Sequence, residues 1–218
     1  MKVVPQLLKL IKSQKTTIAL SSGADSVAAC HFLKTNFPRV DLQCFHFNHK
    51  LRPQNEIMQE KAQEFCNFFQ IPLTVKSRQP NQIRITENGL RSSRYLSMKG
   101  MGLVATAHHL DDAVENYLYN CFNGVPEYLP IPLKTEYENC DLTIIRPFIF
   151  TEKSMILEYI SKNKLQDFVV EDETNCDTKY RRNWLRKDVV PLIQTNYNLK
   201  TIVKKKYKQY LENKKTNL

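Results

Sequence analysis

Short runs of apolar and β-branched residues alternate along the chain with longer stretches in which apolar positions recur every three or four residues. The runs at 16–20 (TTIAL), 41–47 (DLQCFHF), 72–75 (PLTV), 102–107 (GLVATA) and 142–148 (LTIIRPF) predict five strands. Stretches of helical spacing follow the first three, at 26–37, 55–70 and 87–100, and another spans 152–163. Strand and helix in this rhythm predict an α/β fold, a parallel twisted sheet of Rossmann type with helices on both faces. Such sheets bind ligands beyond the carboxyl ends of their strands. The chemistry is therefore sought at 20–26 (LSSGADS), 47–52 (FNHKLR) and 106–112 (TAHHLDD).

From about Glu127 the pattern loosens. An irregular connection over about 124–141, containing three prolines, leads to a strand, a helix and the polar loop 167–183. A helical stretch at 184–194 follows, interrupted at Pro191. Residues 1–195 are expected to form one domain, and 196–218 a short helical basic extension. That tail carries Lys204, Lys205, Lys206, Lys208, Lys214 and Lys215.

Charge narrows the range of partners. The chain has 32 Lys and Arg against 22 Asp and Glu, a formal +10, which suits a polyanion such as nucleic acid or an anionic membrane surface; a solubility effect is the plainer explanation. Six scattered cysteines include no C-x-x-C pair, which argues against a zinc ribbon and fits reduced packing thiols in a cytoplasmic chain. Lysines at 2, 9 and 12 break the first apolar stretch, and no 18-residue apolar run exists. No signal peptide and no membrane span are expected.

At LSSGADS a strand, a Gly-containing loop and a helix bring unpaired backbone N–H groups and a helix dipole to one point, which suits an anion. Gly23 allows close backbone approach, while Ser21, Ser22 and Ser26 add hydroxyls. No Walker lysine follows. Asp25 stands there instead, a carboxylate that repels phosphate unless magnesium lies between them. Helix capping by Asp25 or a serine is the competing reading. In TAHHLDDAVEN, Asp112 and Glu115 are three apart and share a helix face. Acidic residues in a first turn also serve simply as dipole complements.

Together these residues resemble the tRNA(Ile)-lysidine synthetases of the PP-loop, or N-type ATP pyrophosphatase, superfamily. SSGADS (21–26) is similar to S-G-G-x-D-S, HFNHKLR (46–52) to H-x-N-H-x-L-R, and ENGLRSSRY (87–95) to E-x-x-A-R-x-x-R-Y. TAHHLDDAVEN is similar to T-A-H-H-L-D-D-Q-A-E-T, and 171–186 to E-D-x-[ST]-N-x-x-x-x-Y-x-R-N-x-[IL]-R. The ordered motifs cover about residues 16 to 195. Ser22 stands where the loop usually has a second glycine, and family members commonly carry further C-terminal tRNA-binding domains, so the resemblance is to the N-terminal domain only.

The resemblance implies ATP-dependent ligation of free lysine to C2 of the wobble cytidine of tRNA(Ile) with a CAU anticodon, through an adenylated base. Ser21, Ser22, Gly23, Ala24, Asp25 and Ser26 would hold ATP, with Mg2+ on Asp25, and His46 and His108 would line the same edge. Asp112 and Glu115 would bind the lysine, and Asp25, Asp112, Glu115 and Arg94 form the expected catalytic set. Arg182 and Arg186 are read as contacts to RNA or triphosphate, with a solvated basic helix face as the alternative. Lys204, Lys205 and Lys206 are read as tRNA contacts. Tyr95, Tyr180 and Trp184 are candidates to stack on a splayed base, with core packing favoured for Trp184. A non-catalytic tRNA-binding module and another PP-loop tRNA-modifying enzyme are the competing functions.

Overall fold

The computed structural model describes residues 1–79, 87–171 and 181–216. Six strands form one sheet in the order β3-β2-β1-β4-β6-β5. β1 (Thr16–Ala19), β2 (Leu42–Asn48), β3 (Leu73–Ser77), β4 (Gly102–Ala105) and β6 (Leu142–Ile145) run parallel. The four neighbouring residues Ile18, Cys44, Ala105 and Ile145 are all essentially sealed from solvent, as a sheet covered on both faces requires.

β5 (Lys134–Tyr137) lies antiparallel to β6 at the edge, inside the connection expected to be irregular. Its four residues KTEY include two charged ones and are at best half-buried. A polar edge strand of this kind has one neighbour to pair with and no apolar run to betray it.

The helices are α1 (Pro5–Ser13), α2 (Ala24–Asn36), α3 (Gln54–Phe68), α4 (Glu87–Ser97), α5 (Leu110–Phe122), α6 (Lys153–Lys162), α7 (Arg181–Trp184), α8 (Val190–Gln194) and α9 (Leu199–Thr216). α1 opens with Pro5, whose missing N–H costs nothing in a first turn, and buries Leu7 and Ile11. Side chains alternate across the sheet and divide the core in two. Cys44, Leu103, Ala105 and Ile145 join the large cluster with α2, α3, α5 and α6, whereas Phe45, Phe47, Val104, Leu142 and Ile144 pack with Tyr95 and Met98 on the α4 face.

Two expectations change here. Pro191 does not break its helix: a π-helical turn, Leu185–Val189, joins α7 to α8, and Pro191 falls in the first turn of α8, where no N–H is needed. The basic segment after residue 195 is not a detached tail, because Leu199, Val203 and Tyr207 recur every four residues and enter the large core. Tyr207 Oη both donates to the Ile131 carbonyl at 2.7 Å and accepts from its N–H at 3.0 Å. No helix among the described residues is long and apolar enough to cross a membrane.

Candidate functional site

The loop after β1 is built on strained backbone. Leu20 N–H still bonds the Phe45 carbonyl at 2.8 Å, and the next residue but one, Ser22, takes φ 59°, the left-handed region that favours glycine. Ser22 is buried, and its hydroxyl donates to the Met58 carbonyl of α3 at 2.6 Å. That hydroxyl points into the protein, so it does not join Ser21 and Ser26 at the mouth of the loop. The Ser22 carbonyl accepts from Val170 N–H at 2.8 Å, tying the loop to the segment before α7.

Gly23 caps α2, and no side chain caps that helix, so Asp25 is not a capping residue. Ser26 Oγ donates to the Gly23 carbonyl at 2.9 Å, accepts from Ser21 N–H at 3.0 Å and lies 3.1 Å from Ser21 Oγ. Ala24 opens the helix, which begins two residues before the apolar spacing suggests. The early start places Asp25 in the first turn, facing α5 and α6.

α5 is capped by His109, whose Nδ1 accepts from Asp112 N–H at 3.4 Å while Asp112 Oδ2 accepts from His109 N–H at 3.0 Å. The same imidazole joins the two acidic clusters: Nε2 lies 3.5 Å from Asp25 Oδ1 and 3.6 Å from Asp112 Oδ2. Burial works against a charge on His109, but Asp25 and Asp112 outweigh it and raise its pKa. Burial likewise opposes ionisation of Asp25, yet His109 and Lys153, whose Nζ is 2.6 Å from Oδ1, bring its carboxyl down to about 2. Asp112 is also held low, His109 and Arg182 overcoming its burial.

Arg182 and Arg186 turn onto the predicted lysine-binding carboxylates. Arg182 bonds Asp112 Oδ1 at 2.7 Å and Glu115 Oε2 at 2.8 Å, and Arg186 Nε bonds Glu115 Oε1 at 2.6 Å. Glu115 is 3% exposed, so both arginines neutralise a buried charge rather than line a solvated face. Asp111 Oδ2 accepts from Lys153 N–H at 2.8 Å, and Lys200 Nζ bridges Asp111 and Glu152 at 3.1 Å each. A cleft of about 400 Å³ opens among Asp25, His109, Asp111, Glu115, Lys153 and Arg186, a size suited to a small ligand.

The remaining predicted residues are dispersed. His46 is buried behind the loop, where one ring nitrogen meets the Leu20 carbonyl at 2.9 Å. His108 meets Thr106 Oγ1 at 2.7 Å, and burial, with Arg146, Arg182 and Arg94 nearby, depresses its pKa to about 3. Arg94 lies on α4, across the sheet from α2, with its guanidinium 5.5 Å from the Tyr95 ring centroid. Trp184, expected in the core, is 43% exposed. Lys204 pairs with Glu152 at 2.8 Å, Lys206 donates to the Pro126 carbonyl at 2.6 Å, and Lys205 and Lys208 are exposed. Tyr180 and the side chains of Lys214 and Lys215 lie outside the described residues.

His109, Lys153, Asp111 and Lys200 were not singled out by sequence reasoning. For His109 a signal existed, the H-x-x-D box at the start of α5. Lys153 and Lys200 carry none, since only folding brings α6 and α9 to the loop. A magnesium ion would be held through Asp25 Oδ2: His109 and Lys153 bring the carboxyl down to about 2, and among the described residues its hydrogen bond and ion pairs fall on Oδ1. With one protein oxygen, such an ion completes its shell with substrate phosphate and water.

A parallel sheet whose first strand runs through a serine–glycine loop into a helix, with acidic side chains gathered at the same edge, defines a doubly wound α/β protein with a strand–loop–helix site at its first strand. Residues 2–193 match the PP-loop domain, and the chain belongs to that family. It is 30% identical over 213 residues to the tRNA(Ile)-lysidine synthase of Oceanobacillus iheyensis, an alignment covering 88% of this chain and 43% of that protein. With the tRNA(Ile)-lysidine synthase of Haemophilus influenzae identity is 26% over 204 residues, covering 89% and 47%. The chain thus spans about half the length of the curated relatives it matches. Among solved structures, the U34-tRNA thiolase NcsA from Methanococcus maripaludis shares the fold, with a TM-score of 0.71 at 15% identity over 92% of this chain and 72% of that one.

Proposed function

We propose that the protein uses ATP to modify tRNA, and that the reaction is ligation of lysine to the wobble cytidine of tRNA(Ile) bearing a CAU anticodon. One observation carries this: a single imidazole, His109, lies about equally far from Asp25 of the anion loop and Asp112 of the carboxylate pair. An ATP phosphate site and a cation site then open on one cleft. Membership of the PP-loop family and the similarity to tRNA(Ile)-lysidine synthases support the choice of substrates.

In this reading the C2 oxygen of cytidine attacks the α-phosphorus of ATP, and the bond to pyrophosphate breaks. The ε-amine of lysine then attacks C2, and AMP departs with the oxygen. Backbone N–H groups of the loop and the N-terminus of α2 hold the leaving pyrophosphate. Magnesium on Asp25 supplies charge neutralisation when bound. Asp112 and Glu115 hold the amino groups of lysine, which shares these carboxylates with Arg182 and Arg186 or displaces the arginines toward substrate phosphates. His109 keeps Asp25 and Asp112 ionised on either side of it.

The test is turnover by the purified chain with ATP, magnesium, lysine and a tRNA(Ile) transcript. AMP should form only when lysine and tRNA are both present, and pyrophosphate only when tRNA is present. Release of ADP and orthophosphate, or RNA binding with no nucleotide turnover, would overturn the proposal.

A further inference from the structure

Ser22 is held at φ 59° from two sides. Its hydroxyl donates to the Met58 carbonyl of α3 at 2.6 Å, and its own carbonyl accepts from Val170 N–H at 2.8 Å. A strained angle of this kind persists only where its surroundings over-determine it. The two partners lie on different elements, α3 and the segment 166–171, and these are fastened to each other at both ends. At one end the half-buried Phe168 ring packs on Phe65, Phe68 and Phe69, with centroids 5.5, 5.7 and 5.8 Å away. At the other, Gln54 Nε2 donates to the Glu171 carbonyl at 2.6 Å. Gln54, Met58 and Phe65 follow one another by four and seven residues, so one face of α3 carries both fastenings and the acceptor for Ser22.

Gln54 and Phe168 do not line the cleft, so any part they play in it passes through Ser22. Ser22 stands between Ser21, which meets Ser26 through both its N–H and its hydroxyl, and Gly23, the cap of α2. Its backbone angle therefore sets where the first N–H groups of α2 point. A glycine takes the same angle at no steric cost and has no need of outside support.

We infer that α3 and the segment 166–171 clamp Ser22, and that Phe168 and Gln54 are positioning residues that keep the loop 21–26 shaped for a polyphosphate they do not touch. The inference rests on the proposed function for its ligand, ATP. Opening either fastening lets Ser22 relax out of the left-handed region, and the loop N–H groups then no longer converge.

A double-substitution cycle between Phe168→Ala and Ser22→Gly tests the clamp in the full chain, with the affinity for ATP and magnesium read by calorimetry and folding checked by melting curves. Phe168→Ala should weaken ATP at least tenfold with serine at position 22 and less than threefold with glycine there. A general loss of packing would act on both backgrounds alike, and equal effects in the two would overturn the clamp. Gln54→Ala, at the more exposed fastening, keeps the test open if Phe168→Ala does not fold: it should weaken ATP at least threefold beside serine and leave the glycine protein unchanged, and equal effects would again overturn the clamp. Amide hydrogen exchange without nucleotide supplies a readout independent of ATP. Either substitution should speed exchange at Val170 at least threefold relative to Ile18 of β1, and an unchanged ratio counts against the clamp. If the unsubstituted chain binds no ATP, it is the proposed function that fails, and the exchange ratio alone then upholds or rejects the clamp.

Discussion

Ser22 shows how one residue sets opposing terms against each other. A non-glycine residue at φ 59° costs roughly 1 kcal/mol of backbone energy, and its hydroxyl bond to Met58 returns about as much. Ser22→Gly should therefore leave stability within about 0.5 kcal/mol, while Ser22→Ala, which keeps the strain and loses the bond, should cost about 1 kcal/mol in urea unfolding. At the carboxylates proposed to be catalytic, Asp25→Asn should slow turnover more than tenfold, a loss of about 1.4 kcal/mol or more in the barrier. Glu115→Gln should raise the lysine KM or lower kcat with ATP affinity nearly intact. It also leaves Arg182 and Arg186 short of a charged partner, so its melting curve should show a loss of about 1–3 kcal/mol. The histidines give the pH dependence. The folded pKa values of His49 and His108, about 4 and about 3, lie below the ordinary 6.5, so the unfolded chain binds protons the fold refuses and stability falls as pH drops below 6.5. His109 is raised, and its contribution is complete below 6.5 and lost as pH rises through its folded value. In an NMR titration at pH 5, His109 should be cationic, with its Nδ1 protonated and the cap bond from Asp112 N–H given up, and the other two neutral.

Among the elements, α9 departs furthest from its expected role. Its lysines suggest an RNA tail, yet one face carries Leu199, Val203 and Tyr207 into the core. Cutting the chain after Gln194 removes three buried side chains worth together about 5 kcal/mol or more, comparable to the whole stability of a small domain. The truncated protein should lose cooperative unfolding, which makes truncation unable to report on RNA binding. Tyr207→Phe is the milder probe, and loss of both bonds to Ile131 should cost about 1–3 kcal/mol in the same unfolding assay. β5 and the π-helical turn before Pro191 illustrate the same principle. Their backbone paths follow from what they pack against, not from their own propensities.

For the whole molecule, the formal +10 is not evenly available. Lys153, Lys200, Lys204, Arg182 and Arg186 are committed to the acidic side chains around the cleft, whereas Lys205 and Lys208 face solvent. If these two lysines neutralise tRNA phosphates, Lys205→Glu with Lys208→Glu should reduce the slope of log affinity against log salt by roughly 0.7 to 0.9 for each phosphate set free. An unchanged slope, with ATP affinity as the control for folding, would remove α9 from the RNA interface.

The sequence alone determined the alternation of strand and helix, the loop at 21–26 and the shared face of Asp112 and Glu115, because each depends on residues within a turn or two of one another. Apolar periodicity and short-range spacing are local quantities, and the chain displays them before it folds. The tertiary structure alone decided that Ser22 bonds α3, that Arg182 and Arg186 neutralise the carboxylates, and that His109 and Lys153 meet Asp25. It likewise decided that buried polar atoms of His49 and Arg146, just beyond β2 and β6, and of Arg94 and Tyr95 on α4 are left without hydrogen-bond partners among the described residues. Each of these contacts joins elements distant in sequence, and a charge or a hydrogen bond acts across whatever distance folding leaves, so residue type shows the need for a partner but not which partner meets it.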